Sequence, residues 1–89
     1  MTGLPPQPMR VSVQFYSSFK DLAGCAQTTE TLPEGSSVAD LLRRLDQRFP
    51  GLAGMENSMM IAVGVDYQRR YYPLKEGDEV SLFPPVQGG

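Results

Sequence analysis

Hydrophobic positions along the chain fall into two periods. Arg10-Val11-Ser12-Val13-Gln14-Phe15 alternates strictly between polar and apolar side chains. Successive residues of a strand point to opposite faces, so Val11, Val13 and Phe15 lie on one side of a half-buried strand. Ser17 to Gly24 predicts a short helical turn closed by Gly24. The threonine-rich run Gln27-Thr28-Thr29-Glu30-Thr31-Leu32 predicts a second strand, antiparallel to the first and stopped by Pro33-Glu34-Gly35. The period then changes. Val38, Leu41, Leu42, Leu45 and Phe49 follow Ser37 at i, i+3, i+4, i+7 and i+11, with Asp40 three residues after the serine. That spacing is one capped amphipathic helix. Arg43, Arg44, Asp46, Gln47 and Arg48 read as its solvated face, and Pro50-Gly51 ends it. Leu52 to Asn57 reads as an irregular or helical connection. Met60 to Val63 is expected as a strand buried on both faces, Gln68 to Tyr72 as a short strand, and Pro73 to Gly77 as a turn. Val80-Ser81-Leu82-Phe83 is the last strand, leaving through Pro84-Pro85, which cannot continue a ladder.

A single amphipathic helix has one stripe to bury, and the strands offer an apolar face to cover it. The economical arrangement is α+β: a mixed sheet wrapped over one main helix, as in a β-grasp. The expected organisation is a flexible N-terminal arm over 1–8, rich in proline, a folded domain over 9–83, and an extended tail over 84–89.

The 89 residues are 40% hydrophobic and 20% charged, with no histidine and no tryptophan. Folding at this size removes only about 60% of the unfolded surface from water, which leaves no room for a deep active-site cavity. Without histidine the commonest general base and the imidazole ligand of most catalytic zinc sites are missing, so triads and zinc hydrolysis drop out. The lone Cys25 forms no intramolecular disulfide, which fits a reducing cytoplasm. The longest apolar run, around Met59 to Val65, is too short to span a bilayer, and no membrane association is expected. A formal charge of -2 with a pI near 4.9 gives no footprint for nucleic acid; Arg43-Arg44 and Arg69-Arg70 are too small as clusters.

The chemistry concentrates at the end, Pro84-Pro85-Val86-Gln87-Gly88-Gly89. Glycine lacks a Cβ, so its backbone enters a slot that any side chain would block, and six extended residues reach roughly 20 Å. On the two glycines alone a frayed end is as good a reading as a tail built to enter another protein's active site; on the second reading the reactive group is the α-carboxylate of Gly89. Attack on a carboxylate would have to expel oxide, so its use requires activation to an acyl-adenylate by a separate enzyme, after which a thiocarboxylate can form. Phe83, Pro84, Pro85 and Val86 are apolar where the chain leaves its sheet, which favours a partner interface. Period two from Val80 puts Leu82 inside and Phe83 outside. Asp78 and Glu79 point to opposite faces and read as a solvated turn, with no metal site. Cys25 has no positive neighbour to stabilise a thiolate and reads as structural. Met55 and Met59 suit an adaptable apolar surface, and Met60 suits the core.

The segment Gly77-Asp78-Glu79-Val80-Ser81-Leu82-Phe83-Pro84-Pro85-Val86-Gln87-Gly88-Gly89 resembles the C-terminal signature of the small, sulfur-carrying subunits of molybdopterin synthase, in the MoaD/ThiS ubiquitin-like family. Phe15 to Gly24 resembles that family's N-terminal strand-and-helix motif, and Arg48-Phe49-Pro50-Gly51-Leu52 its helix exit. Lys20-Asp21 stands where the family usually has an arginine-glutamate pair, and Gly64 lies near a position where it often has asparagine or arginine. The resemblance, covering about Met9 to Gly89, implies a ubiquitin-like β-grasp that is a carrier subunit without an active site of its own. It also implies that Gly89 is adenylylated by an E1-like adenylyltransferase that uses ATP, and becomes a thiocarboxylate with sulfur from a sulfurtransferase. By the same resemblance Gly88, Gln87 and Val86 are expected to insert with it into the large synthase subunit, where sulfur would pass to cyclic pyranopterin monophosphate to make the dithiolene. A heterotetramer with the large subunit is also implied, and no cofactor bound by this chain. Alternative readings are a carrier for thiamine thiazole formation or tRNA thiolation, a ubiquitin-like protein modifier, and a plain interaction domain.

Overall fold

The structure, a computed structural model, describes residues 7–55 and 58–85. The elements are β1 (Pro8–Phe15), α1 (Ser18–Ala23), β2 (Gln27–Pro33), α2 (Val38–Arg48), a 3₁₀ turn (Pro50–Leu52), β3 (Met60–Val63), β4 (Asp66–Tyr67) and β5 (Glu79–Phe83). They build a five-stranded sheet of order β2-β1-β5-β3-β4. β1 and β5 run parallel, and the other neighbours antiparallel. This is the mixed-sheet β-grasp expected from the patterning. β1 starts at Pro8, one residue before Met9, and residues 1–6 of the expected arm lie outside the described residues.

Alternation decides which side chains enter the core. Val11, Val13 and Phe15 of β1, Val80 and Leu82 of β5, and Ile61 and Val63 of β3 share the face that Val38, Leu41, Leu42 and Leu45 of α2 cover. Burying each such side chain contributes roughly 1.5–3 kcal/mol.

The start of α2 is fixed twice. Ser37 and Asp40 form a capping box: the Asp40 N–H donates to Ser37 Oγ at 3.3 Å, and the Ser37 N–H donates to Asp40 Oδ2 at 2.9 Å. The N–H groups of Val38 and Ala39 donate to the carbonyls of Tyr72 and Arg70, at 3.0 and 2.7 Å. The donors that a helix start leaves without intrahelical partners are thereby satisfied. The Ser37 N–H, before the Ser37 hydroxyl and the Arg43 guanidinium, holds the Asp40 carboxyl below its ordinary range.

Two tight places depend on glycine. Gly24 closes α1 in the left-handed region at φ 80°, as expected. Gly51 sits so close to α1 that a Cβ would lie 2.7 Å from the Leu22 carbonyl oxygen.

The structure corrects three local expectations. β4 is Asp66–Tyr67, not Gln68 to Tyr72. Gly64, at φ 63°, makes a two-residue turn that pairs Val63 with Asp66, and the chain beyond then bends to give its carbonyls to α2. Met60 is not in the core: it stands opposite Phe83 on the outer face, because Ile61 and Val63 take the inward positions. Met55 and Met59 pack against the core instead. Arg48 is not simply solvated. It pairs with Glu30, a carboxylate on the inner face of β2 with 3% of its surface exposed.

Candidate functional site

β5 lies between β1 and β3, so the point where it ends is flanked on both sides. Its inward residues Val80 and Leu82 are fully buried, while Ser81 and Phe83 turn to the opposite face and are half-buried. There Phe83 meets two tyrosines. The Tyr16 ring stacks on it with centroids 5.2 Å apart and planes 17° apart, and Tyr67 meets it edge-on at 6.1 Å. Such contacts are worth about 0.5–1.5 kcal/mol each beyond the area they bury. Tyr16 is 46% and Tyr67 66% exposed, so the outer face carries an apolar patch that the core does not use.

The backbone places Tyr16 there. Its N–H donates to the Leu82 carbonyl at 3.1 Å, extending the parallel pairing of β1 and β5 by one residue. Ser17 then turns the chain into α1 with φ 53° and ψ −131°, the one positive-φ non-glycine residue among those described. That conformation costs of order 1–3 kcal/mol and persists where its surroundings enforce it. An open groove of about 430 Å³ is lined by Met59, Met60, Ile61 and Tyr67 together with Gln68, Arg69 and Arg70.

Of the site residues expected from the sequence, Phe83 lies in the patch, Pro84 is half-buried and Pro85 exposed. Val86, Gln87, Gly88 and Gly89 lie outside the described residues. Asp78 stays in the turn, where its Oδ2 accepts the Lys75 N–H at 2.8 Å, and Glu79 is exposed. Cys25 is a half-buried free thiol against the core. Among the described residues no three His, Cys, Asp or Glu side chains gather as metal ligands. No helix of the described residues is long and apolar enough to cross a membrane.

Tyr16, Tyr67 and the outward Met60 were not foreseen as parts of the site. Tyr16 had a signal, since it continues the outward series Arg10, Ser12, Gln14 by one more period of two. Tyr67 had none, because its place follows from where the hairpin after β3 turns.

The chain is similar to known proteins over most of its length. A family model described as the ThiS family matches residues 13–89. The molybdopterin synthase sulfur carrier subunit of Chlamydomonas reinhardtii is 30% identical over 83 residues, covering 91% of this chain and all of that one. Small archaeal modifier protein 3 of Haloferax volcanii is 29% identical over 92 residues, covering 91% of this chain and all of that one. Among solved structures, a Pyrococcus furiosus chain described as a candidate molybdopterin converting factor, subunit 1, superposes with a TM-score of 0.81 at 31% identity, covering 88% of this chain and 99% of that one. A chain in the Helicobacter pylori complex of subunits 1 and 2 of molybdopterin-converting factor superposes at 0.64 with 28% identity, covering 91% of this chain and all of that one. The family model spans most of the chain and a relative at 30% identity covers 91% of it: the chain belongs to the ThiS family.

Proposed function

We propose that this chain is the sulfur carrier subunit of a molybdopterin synthase, with the Gly89 carboxylate as the group that carries sulfur. The observation that carries this reading is the strand exit. β5 delivers Phe83 from the middle of the sheet into an exposed aromatic patch, Pro84-Pro85 follow it, and in the sequence only Val86 and Gln87 separate the prolines from the pair Gly88-Gly89. The curated relative named for that role, which spans this chain, supports it.

The chemistry divides between tail and patch. An E1-like adenylyltransferase joins the Gly89 carboxylate to AMP with release of pyrophosphate from ATP, and this chain itself holds no cofactor. Sulfide-level sulfur, delivered by a sulfurtransferase, displaces AMP and leaves a thiocarboxylate. In the large subunit that sulfur attacks a side-chain carbon of the pterin precursor and displaces an oxygen substituent from it; water then cleaves the acyl–sulfur bond and restores the carboxylate, and a second charged carrier supplies the second sulfur of the dithiolene. The patch around Phe83 docks the carrier while Val86, Gln87 and Gly88 lead Gly89 into the partner's site, as a pair of carriers on a pair of large subunits. The complex of subunits 1 and 2 from Helicobacter pylori supports a large-subunit partner. The reducing environment that a lone cysteine suits supports a cytoplasmic location.

A second reading, a protein modifier joined through Gly89 to a target lysine, is favoured by the likeness to an archaeal modifier protein. Intact-mass measurement of the untagged protein, taken from cells making molybdenum cofactor, separates the two. A fraction with one oxygen replaced by sulfur is expected for the carrier, and its transfer to the pterin precursor requires the large subunit. Higher-mass conjugates with no sulfur-bearing form would overturn the carrier reading in favour of the modifier.

A further inference from the structure

β2 is an edge strand, paired with β1 alone. The Phe15 N–H donates to the Ala26 carbonyl, and antiparallel pairs alternate, so Val11 and Glu30 exchange bonds across the ladder while the backbone groups of Thr29 and Thr31 face away from the sheet. Those outward groups are a template for another strand. The residue between them departs from the pattern around it. Glu30 points to the inner face, where Met9, Val11, Val13 and Leu32 are apolar, yet it is a carboxylate with 3% of its surface exposed. Arg48, at the end of α2, reaches across to pair with it. The same guanidinium Nη1 lies 3.5 Å from the Thr29 carbonyl oxygen, one of the outward groups. Its carbon stands 5.1 Å from the centre of the Phe49 ring, which steers the arginine along the edge.

We propose that the β2 edge is a latent pairing surface for a second copy of this chain and that Glu30 and Arg48 hold it closed. Two physical effects act together. Antiparallel addition of β2 to its own copy, in the register that pairs Thr29 with Thr31 of the copy, sets Glu30 directly opposite Glu30. Like charges in that position are destabilising, the more so on a face shielded from water. Arg48 meanwhile occupies an acceptor that the incoming strand needs. A core-facing charge on an edge strand specifies that the sheet ends there. A hydrophobic residue at the same position would leave the inner face of β2 as adhesive as that of β1.

The test removes both charges together, so that no unpaired ion is left behind: the full chain carrying Glu30→Val and Arg48→Met. Arg44→Met, an exposed charge removal on the same helix, is the control. Sedimentation velocity is expected to show the double variant as a dimer at concentrations where wild type and control are monomers. In that dimer, exchange of the Thr29 and Thr31 amide protons slows roughly tenfold or more against wild type. Glu30→Thr, which lets Arg48 swing into solvent, is the second variant and is expected to behave alike should the double variant fail to fold. The proposal is overturned if the variant that keeps the wild-type circular dichroism spectrum stays monomeric, or if it dimerises with those two amides still exchanging as in wild type.

Discussion

Each inner strand shows two surfaces, and they obey different rules. On β5, Val80 and Leu82 are completely shielded beneath α2, while Phe83, one residue on, stacks against Tyr16 in partial contact with water. The inner residues are apolar because the fold needs them, since a sheet and an amphipathic helix are each stable only when their apolar faces meet. The outer aromatics answer no such need. Apolar surface beyond what the core requires is what a partner uses. The contrast separates the chain into a scaffold, where substitutions are read as stability, and an exit, where they are read as binding and transfer.

The sharpest test of that division lies outside the scaffold. Deleting Gly88 and Gly89 is expected to abolish sulfur transfer in a reconstituted assay with the large subunit, while the thermal midpoint stays at the wild-type value. A clear fall in the midpoint would break the division. Next in size is the pair at the end of β5. Leu82→Ala is expected to cost about 2–5 kcal/mol in urea denaturation, because it opens a cavity under α2. Phe83→Ala is expected to cost about 1 kcal/mol of stability and about 2 kcal/mol or more of affinity for the large subunit, measured by calorimetry. Equal stability losses at the two positions would show that the outer patch belongs to the scaffold after all.

Gly51 probes the scaffold where its backbones come closest. A methyl group there meets the Leu22 carbonyl at 2.7 Å, so Gly51→Ala is expected to lose about 1–3 kcal/mol by forcing α1 and the 3₁₀ turn apart. An unchanged denaturation midpoint would mean that α1 moves freely. The smallest effect concerns acid. Asp40 has a lowered carboxyl in the folded chain, so its stabilising contribution is fully present above its ordinary value near 3.8 and is lost as pH falls through the lowered value. Asp40→Asn is expected to flatten the pH dependence of stability below that ordinary value and to leave its slope near neutrality unaltered. Thermal melts across the acid range would read this directly.

Reading the sequence was most effective where structure is local. The alternation in β1, the Ser37-Asp40 box, the glycine closing α1 and the 3.6-residue period of α2 each depend on neighbours within a few positions, and each stands where the pattern put it. It failed where distant segments decide. Gln68 to Tyr72 has strand-like residues, but the N–H groups of Val38 and Ala39 claim two of its carbonyls. Met60 is as hydrophobic as its neighbours, and only register against Phe83 puts it outside. Arg48 shares the polar face of α2 with Arg43 and Arg44. Nothing in the helix reveals that Glu30, eighteen residues earlier, waits for it.

By itself, then, the sequence determined the inner faces of β1 and β5, the capped amphipathic α2 and the glycine that closes α1, because periodicity, capping and the lack of a Cβ act over a few residues. The tertiary structure alone decided that β5 lies between β1 and β3, that Tyr16, Tyr67 and Phe83 meet where it ends, and that Arg48 pairs with Glu30. Those contacts join residues far apart in the chain, and their partners are fixed only when the sheet has assembled around its helix.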